Sequence, residues 1–501
     1  MKKFTSNILN AAGMIVLASA AIVGNNIAIS YETRIDSLLT PPVTLQDATS
    51  IKQSQEKGQA LSKQIVSEGS VLLKNKEDST GKKTLPLDVS NDKERKVNVF
   101  GVRAADWYYG GGGSGVVQPE DGDEKKNIDF LKALSNYGKG VNYNRDLIKA
   151  YEGKRNEPSI DDRKIFSEKL LADAKEFVVV GRRYYESTWD LSFSDLHLTE
   201  NERKLIEYVA SNYKKSIVII NNGGVMNMSF LKDVDSLGAC LHVGYTGTRG
   251  ATGLPPLLYG ETSPSGKLAD TAVYDFKSNP NYWYVGNDNH GVYSNDPNDY
   301  SDKNISSNAY MDYVEGIYVG YKWYETADKM GVWKNVNNEY GAGYDGVVQF
   351  PFGYGMSYTN FEWTLDSVTY LDSDGNATTT IDDNTSISLK VTVKNTGTAK
   401  GKEVVECYVE TPYNPQNLDT AIEKSSTTLA DYEKTVELEP NDEIQVELKM
   451  DVSDFASYDC YDNNKNGFKG YELEDGTYKL RLQSDSHHVK EFTNNSGLEI
   501  K

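Results

Sequence analysis

The sequence is poor in cysteine and histidine. Its three cysteines, Cys240, Cys407 and Cys460, lie far apart and form no Cys-x-x-Cys pair. An odd, scattered set gives neither a disulfide framework nor a zinc-ligand spacing. The five histidines, His197, His242, His290, His487 and His488, fall into no ligand motif. The inventory therefore calls for no metal and no other cofactor. Positive charge is also short, with 53 Lys and Arg against 73 Asp and Glu, a net charge of −20. Without a basic footprint for phosphate, nucleic acid is excluded as the main partner. At 25% charged residues, the chain is expected to be globular rather than disordered.

Two apparent motifs fail on spacing. Gly110 to Gly115 is glycine-rich, but it lacks the Lys-Ser/Thr ending of a phosphate loop and the spacing of a dinucleotide fingerprint. Asp462-Asn463-Asn464-Lys465-Asn466-Gly467 starts like a calcium loop. The twelfth position, however, is Leu473, and Glu472 comes one residue early, so a hairpin turn is expected there. Asn304-Ile305-Ser306 and Asn376-Ala377-Thr378 match the glycosylation pattern, which is short enough to arise by chance.

At the N-terminus, Met1-Lys2-Lys3 precedes an apolar run from Ile8 to Ile29, with small residues at Ala18-Ser19-Ala20. This order is that of an export signal. A spanning anchor needs roughly 20 mainly apolar residues, so both a released and a membrane-attached extracytoplasmic protein are compatible with it. Residues 1–30 are read as this segment and 31–64 as a helical linker, where Ala60, Leu61, Gln64 and Ile65 form a weak apolar face ending at Gly69.

From about residue 65 the pattern is α/β. Apolar runs at Val71 to Leu73, Val97 to Gly101, Phe177 to Gly181, Ser216 to Ile220 and Ala239 to Val243 alternate with helical or loop stretches. Short buried runs between helices predict a mostly parallel sheet covered on both faces. The clearest helix starts at Thr199, where Thr199 and Glu202 form a capping box and Leu205, Ile206, Val209 and Ala210 form one stripe. After Thr359 the period becomes two, at Ser386 to Asn395, Val404 to Glu410, Glu443 to Met450 and Tyr478 to Leu482, with a last strand near Val489 to Phe492. Turn signals separate these runs and predict an antiparallel β-sandwich. The expected divisions are 65–362 for the α/β sandwich and 363–501 for the β-sandwich.

The most informative string is Phe350-Pro351-Phe352-Gly353-Tyr354-Gly355-Met356-Ser357-Tyr358-Thr359. It closely resembles the segment that closes the second domain of glycoside hydrolase family 3. Further blocks resemble that family in the same order. They are Glu68 to Asn75 with Leu85-Pro86-Leu87, the Gly110 to Gly115 loop, Pro264-Ser265-Gly266-Lys267-Leu268, Tyr313 to Lys322, and Asn395-Thr396-Gly397 with Gly401 to Val405. The last of these is similar to the family's fibronectin III-like module.

The resemblance implies a β-glycosidase, β-glucosidase-like, that removes a terminal sugar with a retaining pair of carboxyl groups about 5 to 5.5 Å apart. Its nucleophile sits on a (β/α)8 barrel of about 250 residues, for which residues 1–64 leave no room. The resemblance thus implies a permuted domain order with the barrel missing from this chain. It implies Glu186 as the acid, although Tyr185 and Ser187 replace the family's flanking glycines and Trp189-Asp190 stands where Asp-Arg is expected. Asp190 and Asp195 are nearby alternatives. Trp107, Tyr108 or Tyr109 is the implied stacking residue, with Gly112 and Ser114 bordering the sugar. Implied partners are an oligosaccharide or β-glycoside and a barrel in cis or in trans, and a second copy of the chain is left open. The competing reading is a non-catalytic carbohydrate binder or scaffold.

Overall fold

The computed structural model describes residues 48–88, 96–112, 116–117, 127–139, 141–167, 176–180, 196–213, 215–224, 226–283, 313, 315–412, 422–490 and 498–500. Residues 1–30, read from the sequence as an export signal or membrane anchor, lie outside them, and no described helix is long and apolar enough to cross a membrane. Two compact units emerge, Met1–Gln59 and Ala60–Lys501. Of the first, only the start of the helix Ala48–Gly69 is described.

Six strands form the first sheet: β1 (Val71–Asn75), β2 (Lys96–Phe100), β3 (Asn142–Tyr143), β4 (Glu176–Val180), β5 (Ser216–Ile220) and β6 (Ala239–His242). Their order is β1-β6-β5-β4-β2-β3. β2 to β6 run parallel, while β1 caps the edge antiparallel to β6. The two-residue alternation of a strand shows directly in the cores. Val218 and Ile220 of β5 enter one hydrophobic core, and Ile217 and Ile219 enter the other. Both faces are therefore dry, which explains the unbroken apolar runs.

The helix Glu200–Asn212 closes the first face with Leu205, Ile206, Val209 and Ala210. Its capping box is formed: Glu202 N–H donates to Thr199 Oγ1 at 3.3 Å, and Thr199 N–H donates to Glu202 Oε2 at 2.8 Å. The last turns of the helix ending at Gly69 pack differently from expectation. Leu61 and Ile65 are 56% and 61% exposed, and Val66 and Ser67 turn inward instead. The reason is close approach to glycines: a Cβ at Gly250 would meet Val66 at 2.5 Å, and one at Gly253 would meet Ser67 Oγ at 2.6 Å.

After the short pair β7 (Ala272–Val273) and β8 (Val348–Phe350), a β-sandwich follows. It is built from β9 (Phe361–Leu371), β10 (Ser386–Asn395), β11 (Val404–Glu410), β12 (Thr427–Lys434), β13 (Glu443–Asp451), β14 (Ser457–Asp459), β15 (Gly470–Glu472), β16 (Tyr478–Gln483) and β17 (Leu498–Ile500). The main sheets are β13-β10-β9 and β12-β11-β16-β17, with β14-β15 a separate hairpin. Inner residues such as Leu389, Val391, Cys407, Val409, Leu448 and Leu480 share one core. The run Asp462 to Gly467 is the turn of the β14-β15 hairpin, with Asn464 Nδ2 donating to Glu472 at 3.0 Å. Among the described residues no cluster of His, Cys, Asp or Glu could hold a metal ion.

β11 is buried on both faces. Val405, Cys407 and Val409 face the sandwich core, and Glu406 and Tyr408 point the other way, into a seam with the α/β part. The Phe350-to-Thr359 string covers that side. Phe352 stacks on Tyr321 with centroids 4.7 Å apart, and Tyr321 meets Tyr408 edge-on at 6.1 Å. Gly353 has φ +85, and a Cβ there would lie 2.6 Å from Glu406 Oε2. Gly355 passes so near Gly266 that a Cβ would approach its carbonyl oxygen to 2.2 Å. Two of the strings that carry the family resemblance are thus packed against each other.

Beside them lies a buried polar network. Glu325 accepts from Tyr344 Oη at 2.5 Å and Ser486 Oγ at 3.2 Å, and its Oε2 is 2.8 Å from His487 Nδ1. The His487 ring lies flat on Tyr344 with centroids 3.6 Å apart. His488 Nδ1 is 2.9 Å from both oxygens of Asp485, and Tyr408 Oη donates to Glu406 at 2.7 Å. Burial pushes the Glu406 carboxyl up to about 8, against the pull of the Tyr408 hydrogen bond and of Lys267. At His487 burial opposes the charged ring, but the Glu325 hydrogen bond and charge win and hold it above its ordinary value. The Asp485 hydrogen bond does the same for His488.

Candidate functional site

In a parallel α/β sheet the loops beyond the carboxyl ends of the strands form the natural binding edge. Here that edge is organised by Asn221, immediately after β5. Its backbone N–H donates to Val180 O at the end of β4, at 2.8 Å. Its side-chain Oδ1 accepts from Tyr108 N–H at 2.8 Å, and Nδ2 donates to Tyr108 O at 3.1 Å and Gly244 O at 2.8 Å. One fully buried amide thus gathers the loops after β2, β5 and β6 and the last residue of β4. An asparagine after a strand carries no sequence signal beyond that of a turn former, so sequence reasoning passed over it.

The aromatic run after β2 divides its labour. Trp107 is 4% exposed, stacks on Phe130 and donates Nε1–H to Thr246 Oγ1 at 2.8 Å, so it supports the loop from below. Tyr108 is half-buried, with the Arg103 guanidinium 4.6 Å above its ring. Tyr109 accepts from Gly247 N–H at 2.8 Å, and burial, then Asp129 and Asp106, push its hydroxyl up to about 12. Gly110 must be glycine, because a Cβ would meet Val117 at 2.5 Å where the loop turns back on itself. Gly112 is buried beside it. Ser114 and Glu186 lie outside the described residues, as do Asp190 and Asp195. The strand leading to Glu186 is β4, which sits between β5 and β2 at the centre of this edge.

A second acid nearby was not singled out from the sequence. Glu157 accepts from Val102 N–H at 2.8 Å, at the start of the short helix that follows β2. Burial pushes it up to about 7, with that hydrogen bond pulling the other way. Such a value suits proton transfer. Its burial and its bond to a helix start assign it to holding the β2 loop.

The same edge contains a cavity of about 380 Å³. Its rim is exposed and made of Gly223, Gly224, Ala269 and Asp270. The buried lining includes Asn222, Met226, Met228, Leu268, Thr271 and Ala272, with His242 between rim and floor. Burial lowers the His242 ring to about 4, against a hydrogen bond to the Asn222 backbone, so the ring is neutral near pH 7. Asn222 Oδ1 accepts from Gly224 N–H at 2.9 Å. Asn222 Nδ2 and Thr271 Oγ1 are buried without a hydrogen-bond partner among the described residues. The segment Leu268–Ala272 directly continues the Pro264-to-Leu268 string, so the seam motifs and the cavity are one continuous construction.

Comparison with known proteins places this architecture. Residues 70–321 match the glycosyl hydrolase family 3 C-terminal domain. The chain is 31% identical over 445 residues to a β-glucosidase of Ruminococcus albus, covering 85% of this chain and 39% of that protein. It is 27% identical to β-glucosidase A of Butyrivibrio fibrisolvens, covering 88% of this chain and 51% of that protein. A β-glucosidase structure from Paenibacillus barengoltzii superposes with a TM-score of 0.67 at 26% identity, over 87% of this chain and 43% of that one. β-Glucosidase 3B of Thermotoga neapolitana, in complex with glucose, superposes with a TM-score of 0.63 at 25% identity, over 89% and 55%. The chain spans about half the length, or less, of the curated relatives it matches. On the match across half of its residues and the shared fold, the chain belongs to glycosyl hydrolase family 3 and carries that family's C-terminal domain.

Proposed function

We propose that this chain supplies the proton-donating portion of an exported family 3 β-glycosidase, β-glucosidase-like, which cleaves terminal glycosidic bonds with retention. The observation that carries this reading is the extent of the likeness. β-Glucosidases align through 85% or more of the chain and extend about as far again beyond it. The nucleophile then belongs to a barrel outside these 501 residues.

Retaining hydrolysis needs one carboxylate to attack the anomeric carbon and a protonated carboxyl, about 5 to 5.5 Å away, to assist the leaving oxygen. Glu186, which follows β4 in the sequence, takes the second role. Tyr108 and Tyr109 offer ring faces on the loop after β2, Gly112 and Ser114 take the role of bordering the sugar, and Trp107 holds the loop in place. Asn221 positions the whole edge by joining the strand ends. The test uses a chromogenic β-glucoside. The chain alone should not turn it over, and a family 3 barrel added in trans should restore turnover that Glu186→Gln then abolishes. Turnover by the chain alone would refute the divided site, and an unaffected Glu186→Gln complex would remove Glu186 from the mechanism.

A second reading, a non-catalytic carbohydrate binder, is favoured by the cavity at the same edge, whose lining comes wholly from this chain. Failure of every barrel to restore turnover, with sugar binding retained, would select it.

A further inference from the structure

We infer that the loop 484–488 of the β-sandwich is a proton-operated latch on the α/β lobe, closed while His487 and His488 carry charge and released when they lose it.

The loop leaves β16, whose Leu480 and Leu482 belong to the sandwich core. Its own residues are Ser484, Asp485, Ser486, His487 and His488, so polar and ring contacts close it. It is folded on itself. Ser484 N–H donates to His488 O at 3.0 Å, and Asp485 Oδ1 accepts from the backbone N–H groups of His487 at 3.0 Å and His488 at 2.8 Å. Four segments of the α/β lobe hold it from outside. Ser486 N–H donates to Phe352 O at 2.8 Å, and Lys267 Nζ donates to Ser484 O at 3.4 Å. Glu325, on the helix Tyr321–Lys329, takes Ser486 Oγ and His487 Nδ1 together. Tyr344, in the turn Gly343–Gly346, lies flat against the His487 ring.

Charge around the two rings is lopsided. The helix Tyr321–Lys329 faces His487 with Glu325 and Asp328, while Lys329 turns away to Glu410. The turn Gly343–Gly346 adds Asp345, whose charge acts on His488. The loop itself contributes Asp485. On the Asp485 side, β11 brings Tyr408 and Glu406, a carboxyl that burial keeps largely protonated at pH 7. Lys267, on the Pro264-to-Leu268 string, lies 4.0 Å from Glu403.

Glu325, Asp328, Asp345 and Asp485 thus surround two imidazoles. When both rings are protonated, opposite charges offset, the His487–Glu325 bond is charge-assisted, and a cationic ring rests on the Tyr344 face. When the rings are neutral, a ring N–H still bonds a carboxylate, but like charges are left facing one another. Glu325, whose side chain is 8% exposed, has then lost its ionic partner. Both rings lie above the ordinary 6.5, His487 against burial through Glu325, and His488 through its Asp485 hydrogen bond. The latch is therefore fully closed below pH 6.5 and opens as pH rises through the raised values. His488 is the more exposed ring, so water screens it more and His487 carries more of the effect. Release is local, because the Phe352–Tyr321–Tyr408 ring contacts join the lobes independently of either histidine.

The test is backbone amide hydrogen exchange on the full chain, read by mass spectrometry between about pH 5.5 and about pH 8.5 and corrected for intrinsic chemical exchange. Peptides containing residues 484–488 should lose protection by about tenfold or more as pH rises, while peptides from β5 and β10 keep theirs. Glu325→Gln keeps an acceptor oxygen and removes the charge, so it should lower protection at the acid end and flatten the profile. His487→Gln keeps a polar group and removes the titration, and should flatten the profile as well. Glu406→Gln removes the other titrating group of the seam and should leave the loop's profile unchanged. Circular dichroism checks that each variant is folded, and the wild-type series decides by itself where one is not. Equal protection of the loop at both ends of the pH range would overturn the inference. So would a loss shared equally by the β5 and β10 peptides, which is global unfolding, or a folded His487→Gln variant with the wild-type profile.

Discussion

The carboxyl edge of the parallel sheet and the seam under β11 are both rich in polar side chains, and the charged network of the seam is more fully partnered than the Asn222–Thr271 corner of the edge. In the seam, Glu325 alone meets Tyr344, Ser486 and His487, and Asp485 and Glu406 have close partners. At the edge, Asn222 Nδ2 and Thr271 Oγ1 are buried with none among the described residues. Satisfied polar networks rigidify a structure, whereas an unpaired buried polar group costs stability. The contrast marks the partnered groups of the seam as adhesion between lobes.

The largest test of the contrast is Gly353→Val. The position has φ +85, and a Cβ would press on Glu406 and on the Asp485 backbone. The expected loss exceeds about 4 kcal/mol and would show as insoluble or unfolded protein. Near-normal folding would mean that the seam is loose. Next comes Glu325→Ala, which strands two hydroxyls and a histidine and should cost about 3 kcal/mol in denaturant unfolding. A loss under about 1 kcal/mol would place the seam with ordinary surface contacts.

The pH dependence should be intermediate in size. Glu406 rises from 4.5 to about 8 on folding, so the folded state holds its proton longer than the unfolded chain does. Stability contributed this way is whole below pH 4.5 and is lost as pH rises through about 8. His487 and His488, both raised from 6.5, add a loss in the same direction. Thermal unfolding measured across that interval should show a falling midpoint, and Glu406→Gln should flatten the fall. An identical slope in the variant would show that this carboxyl ionises freely. The smallest effect is expected at the edge. Tyr108→Ala removes a half-buried ring and one contact with Arg103 and should change stability by no more than about 1 kcal/mol, while impairing turnover of the barrel-complemented protein. A large stability loss there would erase the distinction between the two regions.

Much of the fold was legible because its signals are local. β-Branched runs such as Ser216–Ile220 carry their own strand preference, and the Thr199–Glu202 box marks its helix within four residues. The Phe350-to-Thr359 string was legible as an oddity, and the structure supplies its reason in Gly353 and Gly355, where the chain passes too close to its neighbours for any side chain. What escaped depends on contacts between distant segments. The turned face of the helix ending at Gly69 is dictated by Gly250 and Gly253, far along the sequence. The roles of Asn221 and Asn222 appear only when the strand ends are brought together. Of the site residues named from the sequence, Trp107, Tyr108 and Gly112 meet at one edge, whereas Glu186 and Ser114 fall outside the described residues.

The two-sided burial of β11 has a practical corollary. A strand whose odd positions complete one lobe and whose even positions complete the other cannot be assigned to either by cutting the chain. Expressing residues up to Thr359 alone would bare Tyr321 and Phe352, and expressing the remainder alone would bare Glu406 and Tyr408. Excised pieces should therefore be sticky and short-lived, and the seam obliges the two lobes to be inherited, engineered and melted together.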